Sequence, residues 1–173
     1  IWVGMVPGVR ESRRIICDYM LNENDVLHNH RFPDVVAYGG WHIDNHVPGG
    51  LYTADKVPSF VYEFRGSYDI PYRSYLVKGK TNLYAGGRCM GASKLGMASS
   101  RVMGTCAIGG QAIGTAAALC LKGDGDIRHV DGGTLQQTLL RDDCYLHPVP
   151  YTHLTLPTNL RVEHQLIRAA LTT

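Results

Sequence analysis

An uncharged stretch, residues 104–121, consists of glycine, alanine and aliphatic residues with few polar side chains. Its length and apolar character predict an α-helix. Gly109, Gly110 and Gly114 each disfavour a helix by about 1 kcal/mol relative to alanine. They therefore predict that another backbone or a flat ligand approaches the helix closely. Because Gly110, Gly114 and Ala118 recur every fourth residue, one helix face has almost no side chains.

Shorter apolar or alternating runs predict extended segments before this helix. Residues 10–21 alternate between charged and apolar side chains and predict a strand, after which Asn22 or Asn24 caps a short helix. Residues 34–46 are rich in β-branched and aromatic side chains, and their central glycine pair predicts a bulge. Residues 47–66 predict a hairpin-like excursion.

The second half of the chain predicts further elements around the long helix. Pro71 lies in an extended run and is expected at an edge or strand end. Residues 83–85 predict a strand that stops at Gly86-Gly87, and residues 134–143 predict an amphipathic helix with Thr134 as its cap. A strand that ends on glycines and leads into a helix is how α/β proteins bring backbone close to a bound cofactor.

Length and composition predict one domain with a real core. The chain has 173 residues, of which 45% are hydrophobic. Its five cysteines contain no CxxC pair, which indicates reduced thiols and no zinc or iron–sulfur cluster. No secretory signal or membrane-spanning segment is expected, and the predicted location is the cytoplasm.

Basic residues are concentrated in the middle of the chain. No Asp or Glu occurs between Asp69 and Asp124, although the whole chain carries only +2. The middle segment therefore carries +7 and the remainder −5, which favours an anionic partner near the start of the long helix. A solvated basic surface is the alternative interpretation. The seven cations are Arg73, Lys78, Lys80, Arg88, Lys94, Arg101 and Lys122.

Candidate chemistry lies in the first half of the chain. His42, Asp44 and His46 are spaced two apart, which places them on one face of a strand. Two imidazoles and a carboxylate favour either a mononuclear metal site or an acid–base cluster, whereas a polar outer strand face needs neither. No further ligand spacing supports a metal, so none is predicted. Arg73 is a candidate for holding an anionic substrate group, or else a surface arginine.

Five motifs occur in an order known from one protein family. They are RESRRI (10–15), FPDVVAYGGWHIDNH (32–46), YDIPYRS (68–74), NLYAGGRC (82–89) and SRVMGTCAIGGQAIGTAAAL (100–119). Together they resemble the C-terminal part of the FAD-dependent oxidoreductases of the glutathione-reductase-like superfamily, in the branch related to heterodisulfide reductase flavoproteins. The resemblance spans roughly residues 7–145.

The resemblance implies that FAD is the cofactor. Gly86, Gly87 and Arg88 would pass its ribityl and pyrophosphate region. Arg88 stands where related flavoproteins often have an acidic residue, so a carboxylate bond to the ribityl hydroxyls is not expected. A second group would begin the helix that points at the pyrimidine edge of the isoalloxazine, with its N–H groups stabilising negative charge on the reduced flavin. This group is Val102, Met103, Gly104, Thr105 and Cys106.

The implied reaction is hydride transfer between a small organic substrate and the flavin. His42 and His46 are the candidates for proton transfer, and Arg73 and Arg101 are the candidates for holding the substrate. Two other functions stay open: a metal-dependent enzyme built on His42, Asp44 and His46, and a polyanion-binding module built on the basic segment.

These expectations define an α/β protein with three parts. Residues 1–75 would belong to a β-rich substrate or cap region, and residues 76–147 to the C-terminal part of a Rossmann-like FAD/NAD(P)-binding domain. Residues 148–173 contain PYTHLTLPTN, which looks like a translated sequencing adapter from a metagenomic fragment, although a native strand and helix are the alternative.

No GxGxxG fingerprint occurs in the chain. The resemblance therefore implies a fragment, inactive alone, whose missing N-terminal part holds the FAD pyrophosphate. That part and a small-molecule substrate are the expected partners, and neither nucleic acid nor a membrane is expected.

Overall fold

The computed structural model describes residues 14–53, 55–57 and 59–146. Within them, four α-helices and two small antiparallel sheets form a mixed α/β arrangement. The predictions for residues 10–13 and for the tail from residue 148 lie outside this part of the chain. The elements are α1 (Glu23–Leu27), β1 (Val35–Gly39), β2 (Ile43–His46), a 3-10 helix (Gly50–Thr53), β3 (Ser59–Tyr62), β4 (Tyr68–Pro71), a 3-10 helix (Tyr72–Ser74), a 3-10 helix (Gly87–Cys89), α2 (Lys94–Ser100), α3 (Met103–Cys120) and α4 (Gly132–Arg141).

The buried sheet pairs β1 with β4 in antiparallel register, from Val35 opposite Pro71 to Gly39 opposite Tyr68. Pro71 is thus the last residue of its strand, as predicted. The register shifts between Val35 and Ala37, so the bulge predicted at the glycine pair is misplaced. Gly39 instead ends β1. A Cβ atom there would overlap the Tyr68 hydroxyl, so glycine is required for a close contact.

The second sheet is a hairpin of β2 and β3, which confirms the predicted excursion between residues 47 and 66. Its register pairs Ile43 with Tyr62 and His46 with Ser59. Ile43 is buried, and α2 contacts β2. The hairpin therefore attaches to the rest of the protein through β2. The large apolar side chains of β3 are about half exposed: Phe60, Val61 and Tyr62.

The predicted long helix is confirmed as α3, which packs its buried side on β1. Gly109 faces the core, where a Cβ atom would overlap the hydroxyl of Tyr75. The predicted close approach at Gly109 is therefore to a buried aromatic ring. Gly110 and Gly114 lie on the opposite, exposed side, where no heavy atom of the described structure lies within 4 Å of a Cβ position.

By length and composition alone, α3 is also long and apolar enough to cross a membrane. A single helix of this kind is weak evidence, because core helices of soluble proteins meet the same criterion. The expectation of no membrane therefore stays a prediction.

Two predicted strands do not form. At residues 83–85 the structure has a single β-bridge between Tyr84 and Leu76, because three apolar residues before two glycines are too few for a ladder. Residues 14–21 likewise make only isolated bridges, at Cys17 and Leu21. Among the described residues there is consequently no parallel sheet, and the Rossmann-like arrangement is not visible in this part of the chain.

Helix caps decide where the shorter helices begin. Asn22 caps α1 through a capping box with Asp25, which settles the choice between Asn22 and Asn24. The cap of α4 is Asp131, whose carboxylate accepts the Thr134 N–H at 2.7 Å, so the predicted cap is wrong by three residues. Asp131 is favoured because a carboxylate accepts more strongly than a hydroxyl and also complements the helix dipole.

One hydrophobic cluster joins the two sheets and the helices. Val35 and Ile70 from the first half of the chain belong to the same cluster as Ala112 and Leu135 from the second half. The predicted division near residue 75 therefore crosses a continuous core, and the division itself stays a prediction.

Candidate functional site

The start of α3 lacks a side-chain acceptor. Its N-cap is Val102, whose extended backbone makes no side-chain cap, and the first intrahelical bond runs from the Cys106 N–H to the Val102 carbonyl at 3.0 Å. Met103 is 89% exposed, and no heavy atom of residues 14–53, 55–57 or 59–146 crowds a Cβ position on Gly104 within 4 Å. The first N–H groups of an 18-residue helix thus have no side-chain acceptor among the described residues, and together with the helix dipole they favour a negatively charged group.

The glycine turn, residues 86–89, lies against this same helix. A Cβ atom on Gly86 would stand 2.5 Å from Cδ1 of Ile113, so glycine allows the turn to contact α3. Gly87 has φ of +61°, a left-handed conformation that favours glycine, and no heavy atom from the described part of the chain lies within 4 Å of its Cβ position. The turn therefore presents bare backbone beside α3.

Cys106 connects the turn electrostatically with the helix start. Burial raises the pKa of its thiol, Arg88 acts to lower it and Cys89 to raise it. The Cys106 thiol also donates to the carbonyl oxygen of Ser100 at 3.7 Å, so it points toward the C-terminal end of α2. Thr105 is buried as well. The two sets of residues predicted to bind a cofactor are thus neighbours.

A polar group that we call the Asp44 cluster adjoins the helix start. Oδ2 of Asp44 accepts from Nη2 of Arg101 at 3.0 Å and lies 3.1 Å from Nε2 of His46. Arg101 is the C-cap of α2 and directly precedes Val102, so its side chain links β2 to the beginning of α3. The cluster consists of Asp44, His46, Ser59 and Arg101.

The charge of Asp44 is stabilised by these neighbours. Burial raises its pKa, but His46, the Ser59 hydroxyl and Arg101 all lower it, and the net pKa lies below the ordinary value. Asp44 is therefore an ionised acceptor near neutral pH. Sequence reasoning missed Ser59, although the hairpin register that places it opposite His46 would have indicated it.

His42 lies outside the strand that carries Asp44 and His46. Because the chain leaves β1 at Gly39 and re-enters a strand only at Ile43, His42 lies in the connection, with its ring 4.4 Å from that of Trp41. The predicted three-residue face is therefore reduced to two. Within the described ranges, no group of three His, Cys, Asp or Glu side chains could hold a metal ion.

Arg73 is engaged elsewhere. Its Nε and Nη2 atoms donate to the two carboxylate oxygens of Asp34 at 2.8 and 3.1 Å, and its guanidinium lies 5.3 Å from the ring centre of Tyr19. Asp34 raises the pKa of Arg73 through these hydrogen bonds. All these partners lie outside the Asp44 cluster, so a substrate role for Arg73 stays a prediction.

An uncapped helix start beside a glycine turn is a feature of proteins that bind anionic nucleotide cofactors. The sequence model of the FAD dependent oxidoreductase family matches residues 1–139, and the chain therefore belongs to this family. No curated protein and no solved structure matches the chain. Membership identifies an oxidoreductase with FAD as its cofactor. The open Gly87 and Gly104 and the free helix start fit such a cofactor, because its electron-rich edge and phosphates need N–H donors and room.

Proposed function

We propose that this chain belongs to an enzyme that transfers a hydride between a carbon atom of a small organic substrate and FAD. The observation that carries the proposal is the meeting of three features at one end of α3: the uncapped helix start, the glycine turn and the Asp44 cluster. When bound, FAD supplies the two-electron chemistry, and the protein supplies binding, orientation and electrostatics.

The cofactor would be held mainly by the backbone of two segments. Gly86, Gly87 and Arg88 would follow the ribityl and pyrophosphate part, because the first two residues of the turn have no side chain. The segment from Val102 to Cys106 would lie at the pyrimidine edge, where the N–H groups of Met103, Gly104 and Thr105, which precede the first intrahelical bond, favour negative charge. Arg88 adds a positive charge at the turn, in keeping with a phosphate-bearing ligand.

Among the predicted proton-transfer residues, His46 is favoured over His42. Its side chain is 41% exposed, so a substrate can reach it, and its Nε2 atom is held by Asp44. His42 has an aromatic neighbour instead of an acidic one. Arg101 is only 15% exposed and already pairs with Asp44, which favours a role inside the cluster over substrate binding.

The remaining parts of the proposal concern the whole enzyme. We infer that a preceding segment with a GxGxxG fingerprint completes a Rossmann-like domain related to glutathione reductase and heterodisulfide reductase flavoproteins, since the fingerprint is absent from this sequence. The chain alone would then bind FAD weakly and be inactive. A cytoplasmic location is in keeping with the five free cysteines.

Charge at the start of α3 provides the test. Gly104→Asp adds a carboxylate where nothing crowds it, and an acidic residue in the first turn favours the helix itself. We expect the purified full-length enzyme to lose about tenfold in FAD affinity, or about 1.4 kcal/mol, because the carboxylate would lie against the electron-rich edge of the flavin that the N–H groups otherwise contact. Flavin absorbance and fluorescence titration would measure this.

Gly104→Ala is the matched control, because it removes the same glycine without adding charge. It should retain FAD and melt at or slightly above the wild-type temperature, because alanine favours the helix. If Gly104→Asp binds FAD as tightly as Gly104→Ala does, the start of α3 does not face the flavin and the proposal is wrong.

A further inference from the structure

Among the partners of the Asp44 carboxylate, a guanidinium and an imidazole come from different parts of the chain. Nη2 of Arg101 lies 3.0 Å from Oδ2 of Asp44 and 3.3 Å from the backbone carbonyl oxygen of Asp44. Nε2 of His46 lies 3.1 Å from the same Oδ2 atom. A single oxygen thus joins an imidazole on β2 to the residue that precedes α3.

This arrangement determines which nitrogen of His46 can exchange protons. An ionised carboxylate can only accept a hydrogen bond, so Nε2 must carry a proton. Nδ1 is then the unprotonated nitrogen of the neutral imidazole, and no described residue is hydrogen-bonded to it. An imidazole fixed in this way is ready to take a proton at Nδ1.

Arg101 balances the charge of the pair and fixes its position. Its largely buried side chain pairs with Asp44, and Arg101 directly precedes Val102, so the imidazole cannot move away from the start of α3 without breaking an ion pair. Without Arg101, the carboxylate would be a half-buried anion with only a histidine and a hydroxyl to stabilise it.

We propose that Asp44 is a positioning residue that holds His46 in the Nε2–H form, with Nδ1 directed to the substrate, and that Arg101 anchors this pair to the flavin-facing end of α3. The inference rests on the proposed function, in which His46 accepts the substrate proton as the hydride leaves carbon. It reassigns Arg101 from substrate binding to positioning.

The first experiment needs no cofactor. In the ¹⁵N-labelled chain, two-bond ¹H–¹⁵N correlation spectra above pH 8 identify the protonated nitrogen of each histidine. We expect His46 in the Nε2–H form, with an N–H proton resonance that is protected from solvent exchange and disappears in Asp44→Asn. A wild-type His46 in the Nδ1–H form, or a protected resonance that persists in Asp44→Asn, would overturn the proposal.

The second experiment uses the full-length flavoenzyme. Asp44→Asn should lower kcat by about 10- to 100-fold, part of the 10²–10⁴-fold that acid–base catalysis contributes, while flavin content and KM change little. Asp124→Asn is the matched control, because it disrupts a second Asp–His pair, 2.6 Å apart and beyond the other end of α3, and should leave kcat unchanged.

The two experiments separate the two levels of inference. An unchanged kcat in Asp44→Asn overturns the positioning role, whatever the spectra show. An enzyme that carries no FAD at all, with His46 in the predicted form, would instead remove the proposed function and leave the geometry of the Asp44 cluster standing.

Discussion

Replacing Gly109 with alanine tests how tightly α3 packs on the core. In an open helix position the change would stabilise the protein by about 1 kcal/mol, because alanine restricts the unfolded chain and favours the helix. At Gly109 the new Cβ would overlap the hydroxyl oxygen of Tyr75 and lie 3.0 Å from Cζ. Tyr75 is 1% exposed, so its ring has no free space to move into.

The magnitude follows from the opposition of these two effects. Overpacking a buried position costs about 1–3 kcal/mol. After the helix gain is subtracted, Gly109→Ala should lower the free energy of unfolding by roughly 1 kcal/mol. Gly110→Ala is the matched control on the same helix, and it should raise this free energy by about 1 kcal/mol because nothing lies within 4 Å of its Cβ position.

Tyr75→Phe extends the test to a double-mutant cycle. Burial raises the pKa of Tyr75, so its hydroxyl stays protonated, yet it has no hydrogen-bond partner among the described residues. Removing this buried hydroxyl should stabilise the protein by about 1 kcal/mol. It also removes the overlapping atom, so Gly109→Ala should cost less in the Tyr75→Phe background.

Urea unfolding of the chain, followed by circular dichroism, measures all five proteins of this set on one scale. If Gly109→Ala stabilises as much as Gly110→Ala, the ring of Tyr75 does not lie under α3. If the cost of Gly109→Ala is the same with Tyr75 and with Phe at this position, the hydroxyl is not the atom responsible.

Two further predictions concern local structure. Asn22→Ala should lower the free energy of unfolding by about 1 kcal/mol through loss of the α1 cap, whereas Asn24→Ala should change it little; equal effects in urea unfolding would contradict the assignment of the cap. The hydrogen bond to Asp124 raises the pKa of His129 above 6.5, so this pair stabilises the fold fully below that pH and the contribution is lost as the pH rises through the raised pKa. In an NMR titration, Asp124→Asn should move the His129 midpoint to lower pH, and an unchanged midpoint would show that the pair does not form in solution.

Local sequence patterns predicted those elements whose cause is local. The uncharged stretch predicted α3 to within one residue at each end, and Pro71 correctly predicted the end of β4. The chain between residues 47 and 66 forms part of a hairpin, as predicted. In each case the deciding property lies within the segment itself. It is the apolar length of the α3 segment, the missing N–H group of Pro71 and the turn of the hairpin, respectively.

The failures have a tertiary origin. Residues 83–85 make their backbone hydrogen bonds with Tyr75 and Val77, which lie in a separate segment, so no local pattern indicates that a bridge replaces a strand. The glycine pair ends β1 because a ring from β4 occupies the space at Gly39. His42 therefore lies in the connection between β1 and β2, and the pairing of β1 with β4, which ends β1 at Gly39, could not be predicted from the local sequence.

The candidate site was predictable in its backbone but not in its side-chain connections. Glycines and small residues indicated where main chain would be exposed, at the turn and at Gly104. Spacing also brought Asp44 and His46 to one face. The link from Asp44 to Arg101 spans 57 residues, and only the packing of α2 on β2 creates it.

Acidic partners from outside the basic segment change the meaning of its charge. Arg73 pairs with Asp34 and Arg101 pairs with Asp44, and both carboxylates precede residue 70 in the sequence. Two of the seven cations are thus neutralised within the fold, and the segment is less basic in space than in sequence. The uncapped N–H groups of α3 have no such compensation among the described side chains. Attraction for negative charge is therefore concentrated at one helix end and its adjoining turn, which suits a compact anionic cofactor better than an extended polyanion, whose binding needs cations spread along a surface.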